Sequence, residues 1–264
     1  MLTIAGSDSS GGAGIQADLK AFTAVGTHGM SVLTALTAQN TYGVKAIHAV
    51  PVEFVEAQLE AVFSDMPPKA IKTGMLAGFE IIQSVRAFLE RNAQGIPLIV
   101  DPVLIATSGS RLLSEGAESA LREFAAQAWV VTPNLPEAAI LAEMEPPQSE
   151  KAFFYLGETL SKRYPHPYWL LKGGHAPWEK HVVTSLLFQN GRLIQRFVQR
   201  RFQLPRPSHG TGCTLASAIA AYIARGASVV EAVQQGLDFI HQALGRADLS
   251  LGGAAVIPNL SSCH

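Results

Sequence analysis

The chain has 264 residues, of which 48% are hydrophobic and 16% are charged, and its formal net charge is −1. Disordered chains combine low hydrophobicity with high net charge, so these values exclude disorder and predict one large globular domain. A net charge near zero also argues against a nucleic-acid groove or a polybasic membrane patch. Two cysteines, Cys213 and Cys263, are too few for a disulfide framework or a cysteine-based zinc site. The one basic cluster is predicted to be a solvated strand face: Arg196, Arg200, Arg201 and Arg206.

Two long stretches, residues 21–44 and 207–224, contain no Asp, Glu, Lys or Arg. Both hold polar residues that a bilayer would penalise, among them Gln39 in the first and His209 in the second, so neither is predicted to span a membrane. The chain also opens without the pattern of a signal peptide. A cytoplasmic protein is therefore expected.

The predicted elements alternate between strand and helix along the chain. Short apolar runs predict strands over 1–5, 30–38, 44–50, 70–75, 97–103, 129–132 and 168–172. Apolar residues at helical spacing predict helices over 15–25, 52–62, 79–91, 114–127, 135–143, 149–163, 211–225 and 228–246. Ser114 is predicted as the N-cap of the fourth helix. The pair Asn190-Gly191 predicts a hairpin turn between strands over 181–188 and 193–202.

This alternation is typical of βαβ units, which build a mainly parallel sheet with helices on both faces. The late hairpin adds an antiparallel edge to that sheet. Ligands of such sheets bind beyond the carboxyl ends of the strands, so the loops that follow strands are the candidate binding loops. These loops are 6–14, 39–43, 74–76, 101–109, 134–137, 172–175 and 208–213.

The first of these loops runs Gly12-Ala13-Gly14-Ile15-Gln16-Ala17, which fits the dinucleotide fingerprint G-x-G-x-x-A. An NAD site also needs an acidic residue about 20 positions further on, for the ribose. No Asp or Glu occurs between Asp18 and Glu53, so an NAD-binding oxidoreductase is disfavoured. The glycines still allow the backbone to approach a small ligand closely.

The run His209-Gly210-Thr211-Gly212-Cys213-Thr214 leads into an apolar helix. Small residues at a helix N-terminus direct several free N–H groups and the positive end of the dipole at one point, which makes an anion-binding site. A thiol in the first turn is expected to have a lowered pKa, which favours a reactive Cys213. The alternative is a small buried cysteine beside a glycine-rich cap.

Acidic residues follow two of the predicted strands. Asp101 ends an apolar strand, and Asn134 and Glu137 stand three residues apart at a strand-to-helix junction. That spacing also fits a capping box with Asn134 at the N-cap. Two carboxylates near a phosphate suit Mg²⁺, which proteins hold through few carboxylates. Lys172, at the end of another strand, is placed to reach a phosphate.

These motifs together resemble the hydroxymethylpyrimidine/phosphomethylpyrimidine kinases of thiamine biosynthesis, a branch of the ribokinase-like kinases that includes pyridoxal kinases. The resemblance covers nearly the whole chain in order. Its most specific runs are residues 2–18, Thr34-Ala35-Leu36-Thr37-Ala38-Gln39-Asn40-Thr41, Lys72-Thr73-Gly74-Met75-Leu76, Asp101-Pro102-Val103, Thr132-Pro133-Asn134-Leu135-Pro136-Glu137-Ala138, Leu171-Lys172-Gly173-Gly174-His175 and His209-Gly210-Thr211-Gly212-Cys213-Thr214-Leu215.

The resemblance implies a three-layer α/β/α ribokinase-like fold, formed by 1–264 as a single domain with a small flap around 27–50. It implies ATP-dependent phosphorylation of 4-amino-5-hydroxymethyl-2-methylpyrimidine, and then of its monophosphate, with Mg²⁺. The implied substrate pocket is lined by Gly6, Ala13, Asp18, Thr37, Gln39, Met75 and Val103. A pyridoxal kinase is the nearest alternative, and a non-catalytic pyrimidine-binding protein is a more distant one.

The resemblance also assigns the transfer site. Gly210, Thr211 and Gly212 would form the anion hole, and Cys213 would stand where most ribokinase-like enzymes have a catalytic aspartate. Contacts to the nucleotide would come from Lys172, Asn134 and Thr211, and Asp101 and Glu137 would be the metal-associated acids. The chain departs from the family pattern at Pro207-Ser208 and near Leu237, where the family usually has Asn-Thr and a lysine. Related kinases are often dimers, so a homodimer is expected.

Overall fold

The computed structural model describes residues 1–104 and 116–261. The predicted cap Ser114 and the second cysteine, Cys263, lie outside these residues. The described residues contain ten strands: β1 Leu2–Ala5, β2 Met30–Leu33, β3 Ala35–Asn40, β4 Gly43–Ala49, β5 Ile71–Thr73, β6 Leu98–Val100, β7 Val130–Val131, β8 Tyr168–Lys172, β9 Val182–Gln189 and β10 Arg192–Arg200.

Eight α-helices alternate with the strands of this same part of the chain, as the sequence predicts. They are α1 Gly14–Ala24, α2 Val52–Asp65, α3 Phe79–Asn92, α4 Ala117–Ala125, α5 Leu135–Ala142, α6 Glu150–Arg163, α7 Thr211–Ala224 and α8 Val229–Gly245. A short 3₁₀ turn, Gly173–His175, follows β8. In the described residues no helix is long and apolar enough to cross a membrane.

Eight strands form the central sheet, in the order β10-β9-β8-β7-β6-β5-β1-β2. The pairs from β8 through to β2 are parallel, whereas β9 is antiparallel to both β8 and β10. The sheet is therefore mainly parallel with an antiparallel hairpin at one edge, which confirms the predicted architecture.

Helices cover both faces of the sheet because its strands are apolar on both sides. Ile99 and Val100 are neighbours on β6 and belong to different hydrophobic clusters. The cluster that contains Ile99 lies against α1, α7 and α8, and the cluster that contains Val100 lies against α2 to α6. Parallel sheets buried on both faces show such continuous hydrophobic runs. The result is the three-layer α/β/α arrangement.

One predicted strand is wrong in its extent. The sequence predicts a single strand over 30–38, but β2 ends at Leu33 and β3 starts at Ala35, in a separate two-stranded sheet with β4. Thr34 marks the break, because its hydroxyl donates to the Met75 carbonyl at 2.6 Å. Beyond it the chain leaves the sheet, and Leu36 is 46% exposed on the new hairpin. An uncharged, Thr-rich run did not reveal where the strand changes partners.

The fold brings five loops to one edge of the sheet. The parallel strands β1, β5, β6, β7 and β8 all end there, since their carboxyl ends point the same way. The first residues after these ends include Gly6, Gly74, Asp101, Asn134 and Gly173. The N-terminus of α7 lies above this edge, as the packing of Gly210 on Gly12 shows.

Candidate active site

A cleft runs along this edge of the sheet, and the structure brings to it nearly all of the residues that the resemblance assigns. Fourteen of the fifteen predicted site residues line the cleft: Gly6, Ala13, Thr37, Gln39, Met75, Asp101, Val103, Asn134, Glu137, Lys172, Gly210, Thr211, Gly212 and Cys213. They come from five different strand ends, from the β3–β4 hairpin and from the start of α7. The exception is Asp18.

The structure corrects the assignment of Asp18 to the substrate pocket. Asp18 is fully buried and does not reach the cleft. Both of its oxygens lie 2.9 Å from the Lys72 ammonium, which is also fully buried. Thr3 and Ser217 donate further hydrogen bonds to it, at 2.6 and 2.7 Å. Asp18 therefore ties β1, β5, α1 and α7 together from below the cleft floor.

Lys72 is a functional candidate that the sequence reasoning missed. The only signal was an ionisable residue inside an otherwise apolar strand. Burial works to lower the pKa of Lys72, but the charge of Asp18 outweighs it, and the pKa is raised. The side chain lies close under Gly74, where an added Cβ would be 2.9 Å from Nζ. The floor of the cleft thus contains a permanent cation.

The loop between β1 and α1 is held in shape by Asp8. Its carboxylate accepts hydrogen bonds from the backbone N–H groups of Ser10 and Ala13, both at 2.8 Å. The same carboxylate lies 2.8 Å from Nε2 of His209. Burial works to raise the pKa of Asp8, but the hydrogen bonds from His209 and Ser10 outweigh it and hold the pKa at about 2. Asp8 therefore joins the first loop to the segment that precedes α7.

The glycines of the two loops are needed for packing. Gly210, the N-cap of α7, has a φ of 77°, and a Cβ there would overlap the carbonyl oxygen of Gly12. A Cβ on Gly12 would come within 2.7 Å of the His209 ring. Gly14 has a φ of 56°, and a Cβ there would overlap the Gly6 carbonyl oxygen. The two loops thus meet backbone to backbone, which only glycine allows.

The start of α7 presents free donors to the cleft. The first backbone hydrogen bond of the helix runs from the Thr214 N–H to the Gly210 carbonyl, at 3.0 Å. The N–H groups of Thr211, Gly212 and Cys213 come before it and have no partner inside the helix. Together with the helix dipole they make a candidate anion-binding site. No acidic side chain lies in this first turn to compete for it.

The thiol of Cys213 does not have the lowered pKa that its position predicts. Burial raises the pKa of Cys213 to about 11, against the opposing charge of Lys72, and the carboxylates of Asp18 and Asp101 raise it further. The position in the first helical turn is as predicted, but the loss of water around the sulfur outweighs the charge of Lys72 and the hydrogen bond from the Gly14 backbone. Cys213 is therefore a neutral thiol in the free protein at pH 7.

Asp101 and Lys172 form an ion pair beside the anion-binding site. Oδ1 of Asp101 lies 3.0 Å from the Lys172 ammonium and 3.0 Å from the Thr132 hydroxyl, which donates to it. Burial works to lower the pKa of Lys172, but the carboxylates of Asp101 and Glu137 outweigh it and raise the pKa. A Cβ on Gly212 would be 3.2 Å from the Lys172 ammonium. The bare backbone at Gly212 therefore leaves room directly in front of this pair.

Glu137 forms the capping box that its spacing predicts. Its backbone N–H donates to the Asn134 side chain at 2.9 Å, and its carboxylate accepts from the Asn134 backbone N–H at 2.8 Å. The side chain is nonetheless 5% exposed and lines the cleft. Burial raises the pKa of Glu137 to about 7, and the nearby Asp101 carboxylate adds to the shift. Capping and a place in the cleft are thus combined in one residue.

The β3–β4 hairpin closes one end of the cleft. The Thr37 hydroxyl donates to the Ser7 carbonyl at 2.8 Å, and the Gln39 backbone N–H donates to the Ser9 hydroxyl at 2.9 Å. The Gln39 amide lies 3.3 Å from Nε2 of His209. These contacts fix the Gln39 side chain between the first loop and the α7 segment.

The other end of the cleft lies between the β9–β10 hairpin and α8. The rings of Phe202 and His241 stack there, with centroids 4.4 Å apart. Leu237 of α8 also lines this end. The departure from the family pattern near Leu237 was the one sequence signal at this wall, because apolar residues at helical spacing otherwise look like ordinary core residues.

Comparison with known proteins identifies the family of this chain. Residues 8–258 match the family model described as phosphomethylpyrimidine kinase. The chain belongs to the phosphomethylpyrimidine kinase family. A hydroxymethylpyrimidine/phosphomethylpyrimidine kinase of Rhizobium meliloti is 45% identical over 248 residues, which are 94% of this chain and 91% of that protein.

Two solved structures have the same fold as this member of the phosphomethylpyrimidine kinase family. The phosphomethylpyrimidine kinase from Clostridium difficile is 40% identical, with a TM-score of 0.78, and the match covers 92% of this chain and 97% of that one. The pyridoxal kinase from Staphylococcus aureus in complex with AMP-PCP and pyridoxal is 31% identical, with a TM-score of 0.87, covering 99% and 93%. The predicted ribokinase-like fold is thereby confirmed.

Membership of the phosphomethylpyrimidine kinase family also argues against an NAD site at the G-x-G-x-x-A run of the first loop. Gly12-Ala13-Gly14 follows β1 and enters α1, as a dinucleotide site would. Its glycines are accounted for by the packing on His209 and Gly6 described above. The oxidoreductase alternative is therefore dropped.

Proposed function

We propose that this protein transfers the γ-phosphate of ATP to the hydroxymethyl group of 4-amino-5-hydroxymethyl-2-methylpyrimidine, and then phosphorylates the monophosphate to the diphosphate. The observation that carries the proposal is the free N-terminus of α7, which includes Cys213, lines the cleft and faces the Asp101–Lys172 pair. The family and the names of the relatives support the same reaction.

The two ends of the cleft suit two different ligands. Gln39, Thr37 and Met75 surround the end near β1, where an amide and a hydroxyl suit the ring nitrogens and amino group of a pyrimidine. Lys172 and the Phe202–His241 stack belong to the end near β8 and β10. Four strand spacings separate β8 from β1, which is about 20 Å at about 4.8 Å per spacing. ATP and a small alcohol can lie end to end over that length, with the transferred phosphate near Gly212.

Phosphoryl transfer depends mainly on positioning and charge stabilisation, and the residues here supply both. The N–H groups of Thr211, Gly212 and Cys213 stabilise the charge that develops on the phosphate oxygens. Lys172 adds a positive charge in front of Gly212. The thiol of Cys213 first loses its proton to solvent, and Lys72 beneath it stabilises the resulting thiolate. That thiolate then accepts the proton of the attacking alcohol, which returns Cys213 to the thiol form.

Asp101 and Glu137 fit a divalent cation. They offer hard carboxylate oxygens, and a cation beside them would favour the ionised form of Glu137, whose pKa burial raises to about 7. The described residues contain no group of three or more metal-ligating side chains. Two carboxylates are nevertheless the usual protein share for Mg²⁺, which keeps several waters and binds phosphate oxygens. When bound, the ion neutralises charge on the phosphates of ATP.

A pyridoxal kinase is the second candidate, because the Staphylococcus aureus structure contains pyridoxal in the same fold. We expect kcat/KM for hydroxymethylpyrimidine to exceed that for pyridoxal at least tenfold, because Gln39 and Met75 surround the ring end of the cleft. Parallel steady-state assays with both alcohols decide between them. The reverse order would identify the protein as a pyridoxal kinase.

The role of Cys213 is tested by comparing the two steps. The alcohol must lose a proton, whereas the monophosphate is already ionised at neutral pH. Cys213→Ala should therefore slow the first step by about 10²- to 10⁴-fold and the second step much less. Cys213→Ser controls for the loss of volume. An equal loss in both steps would rule out the proton-accepting role.

We also propose that the chain acts as a single domain, in which the β3–β4 hairpin is a flap over the bound pyrimidine. Homodimer formation and a cytoplasmic location stay predictions. Sedimentation velocity on the purified protein measures the first, and a single species of monomer mass would contradict it.

A further inference from the structure

Arg201 stands directly after β10, at the end of the cleft near the Phe202–His241 stack. Its backbone N–H donates to the His181 carbonyl at 2.8 Å. Nη1 of its guanidinium donates to the carbonyl of Gly174, also at 2.8 Å. Arg201 was predicted to belong to a solvated strand face, but it lines the cleft instead. Both ends of the residue are fixed, so the orientation of the guanidinium is set.

The remaining edge of this guanidinium has no partner. Nε and Nη2 are both buried, and neither has a hydrogen-bond partner among the described residues. These two nitrogens carry parallel N–H groups, the edge of arginine that matches two oxygens of a carboxylate or phosphate. Buried donors are almost always paired in folded proteins. Arg201 lines the cleft, and an unpaired charged edge on such a residue points to an anionic ligand.

We propose that the Nε–Nη2 edge of Arg201 binds a phosphate group of the nucleotide. The proposal rests on the proposed function and adds a residue that neither the motifs nor the resemblance assigned. Arg201 adds a second cation at this end, where Asp101 offsets part of the Lys172 charge from 3.0 Å. Gly174, which anchors Arg201, is two residues beyond Lys172, so both cations flank the same short turn.

The position of Arg201 favours a phosphate of the nucleotide over the phosphate of the phosphorylated pyrimidine. The strand that precedes it, β10, is separated from β1 by five strands of the sheet. Gln39 and Met75 lie at the β1 end, whereas the stacked rings of Phe202 and His241 lie beside Arg201. A phosphate bound by Arg201 therefore belongs to the ligand whose base occupies the ring-stacked end.

The test compares ligands with and without phosphates. Calorimetric titrations measure the Kd of ADP and of adenosine for the wild type and for Arg201→Gln. The variant should weaken ADP binding by roughly 10- to 100-fold, as expected for hydrogen bonds to a charged group, and change adenosine binding less than twofold. Arg201→Lys keeps the charge but loses the parallel pair, so it should weaken ADP binding by a smaller factor.

Arg192→Gln is the matched control, because it removes the same charge from the far end of β10, where Arg192 is exposed. It should leave both dissociation constants unchanged. KM for hydroxymethylpyrimidine should stay unchanged in Arg201→Gln, while KM for ATP rises.

Two results would overturn the inference: ADP affinity within threefold of wild type in Arg201→Gln, or equal losses for ADP and adenosine, which would indicate a structural role. The melting temperature of Arg201→Gln shows whether this variant is folded. If it is not, the ADP and adenosine affinities of Arg201→Lys are compared with those of the wild type instead. A wild-type protein that binds neither ATP nor ADP would instead overturn the proposed function, and this inference with it.

Discussion

Replacement of Gly210 by alanine tests how the anion-binding site is built. The residue has a φ of 77°, which costs a non-glycine residue roughly 1 kcal/mol. The new Cβ would overlap the Gly12 carbonyl oxygen and lie 2.7 Å from its carbon. Ordinary carbon contacts are about 3.5–4.0 Å and the carbonyl oxygen is nearer still, so the two loops must separate by more than about 1 Å. A displacement of that size at a reacting centre costs about 10²-fold in rate.

We therefore expect Gly210→Ala to lose about 100-fold in kcat/KM and about 3 kcal/mol in the free energy of unfolding, strain and overlap together. Domains of this size have roughly 5–15 kcal/mol available, so the variant should still fold. Urea unfolding measures the stability, and a coupled ADP-release assay measures the activity.

Gly226 provides the control at the other end of the same helix. It has a φ of 97°, and a Cβ there would meet nothing within 4 Å. Gly226→Ala should therefore lose about 1 kcal/mol from strain alone and keep its activity. Wild-type activity in Gly210→Ala, or an equal loss of activity in both variants, would refute the reasoning.

Three further predictions concern the buried charges and the thiol. Asp18→Asn should lower the free energy of unfolding by about 3–5 kcal/mol, because it leaves the Lys72 ammonium buried without its counter-charge, and a loss below 1 kcal/mol in urea unfolding would contradict this. The pKa of Asp8 is about 2 in the folded state against an ordinary value of 3.8, so its stabilising contribution is present above pH 4 and is lost as the pH falls through 2. Between pH 6 and pH 2 the wild type should lose about 2 kcal/mol more than Asp8→Asn, and parallel pH curves would argue against the depressed pKa. Iodoacetamide at pH 8 should alkylate Cys213 at least tenfold more slowly than a free thiol, because its pKa is about 11; peptide mass spectrometry separates this site from Cys263, and equal rates would contradict the raised pKa.

The order and type of the elements could be predicted because strand and helix periods alternate cleanly. The change of sheet at Thr34 could not, because the residues on both sides have the same apolar, β-branched character. At the break, the Thr34 hydroxyl donates to the Met75 carbonyl, a contact between residues 41 positions apart. Local patterns do not contain such information.

The cleft residues contributed by short motifs could also be predicted, since each motif follows a strand that ends at the same edge. Asp18 was predicted to line the cleft because its motif neighbours do, but its own side chain turns into the core to meet Lys72. The prediction of a lowered pKa for Cys213 was wrong because a sequence shows the helix start but not the burial around the sulfur. Arg201 was predicted to be solvated because clusters of arginines usually are, whereas its contact with Gly174 and its buried Nε and Nη2 atoms show otherwise.

The proposed function requires two successive phosphoryl transfers from ATP to a pyrimidine alcohol. One phosphorus NMR time course on the purified protein with ATP, Mg²⁺ and hydroxymethylpyrimidine follows both transfers. We expect the γ-phosphate signal of ATP to decay while a monophosphate ester appears first and a diphosphate ester follows. Unchanged ATP, or ATP consumed with release of inorganic phosphate only, would contradict the account.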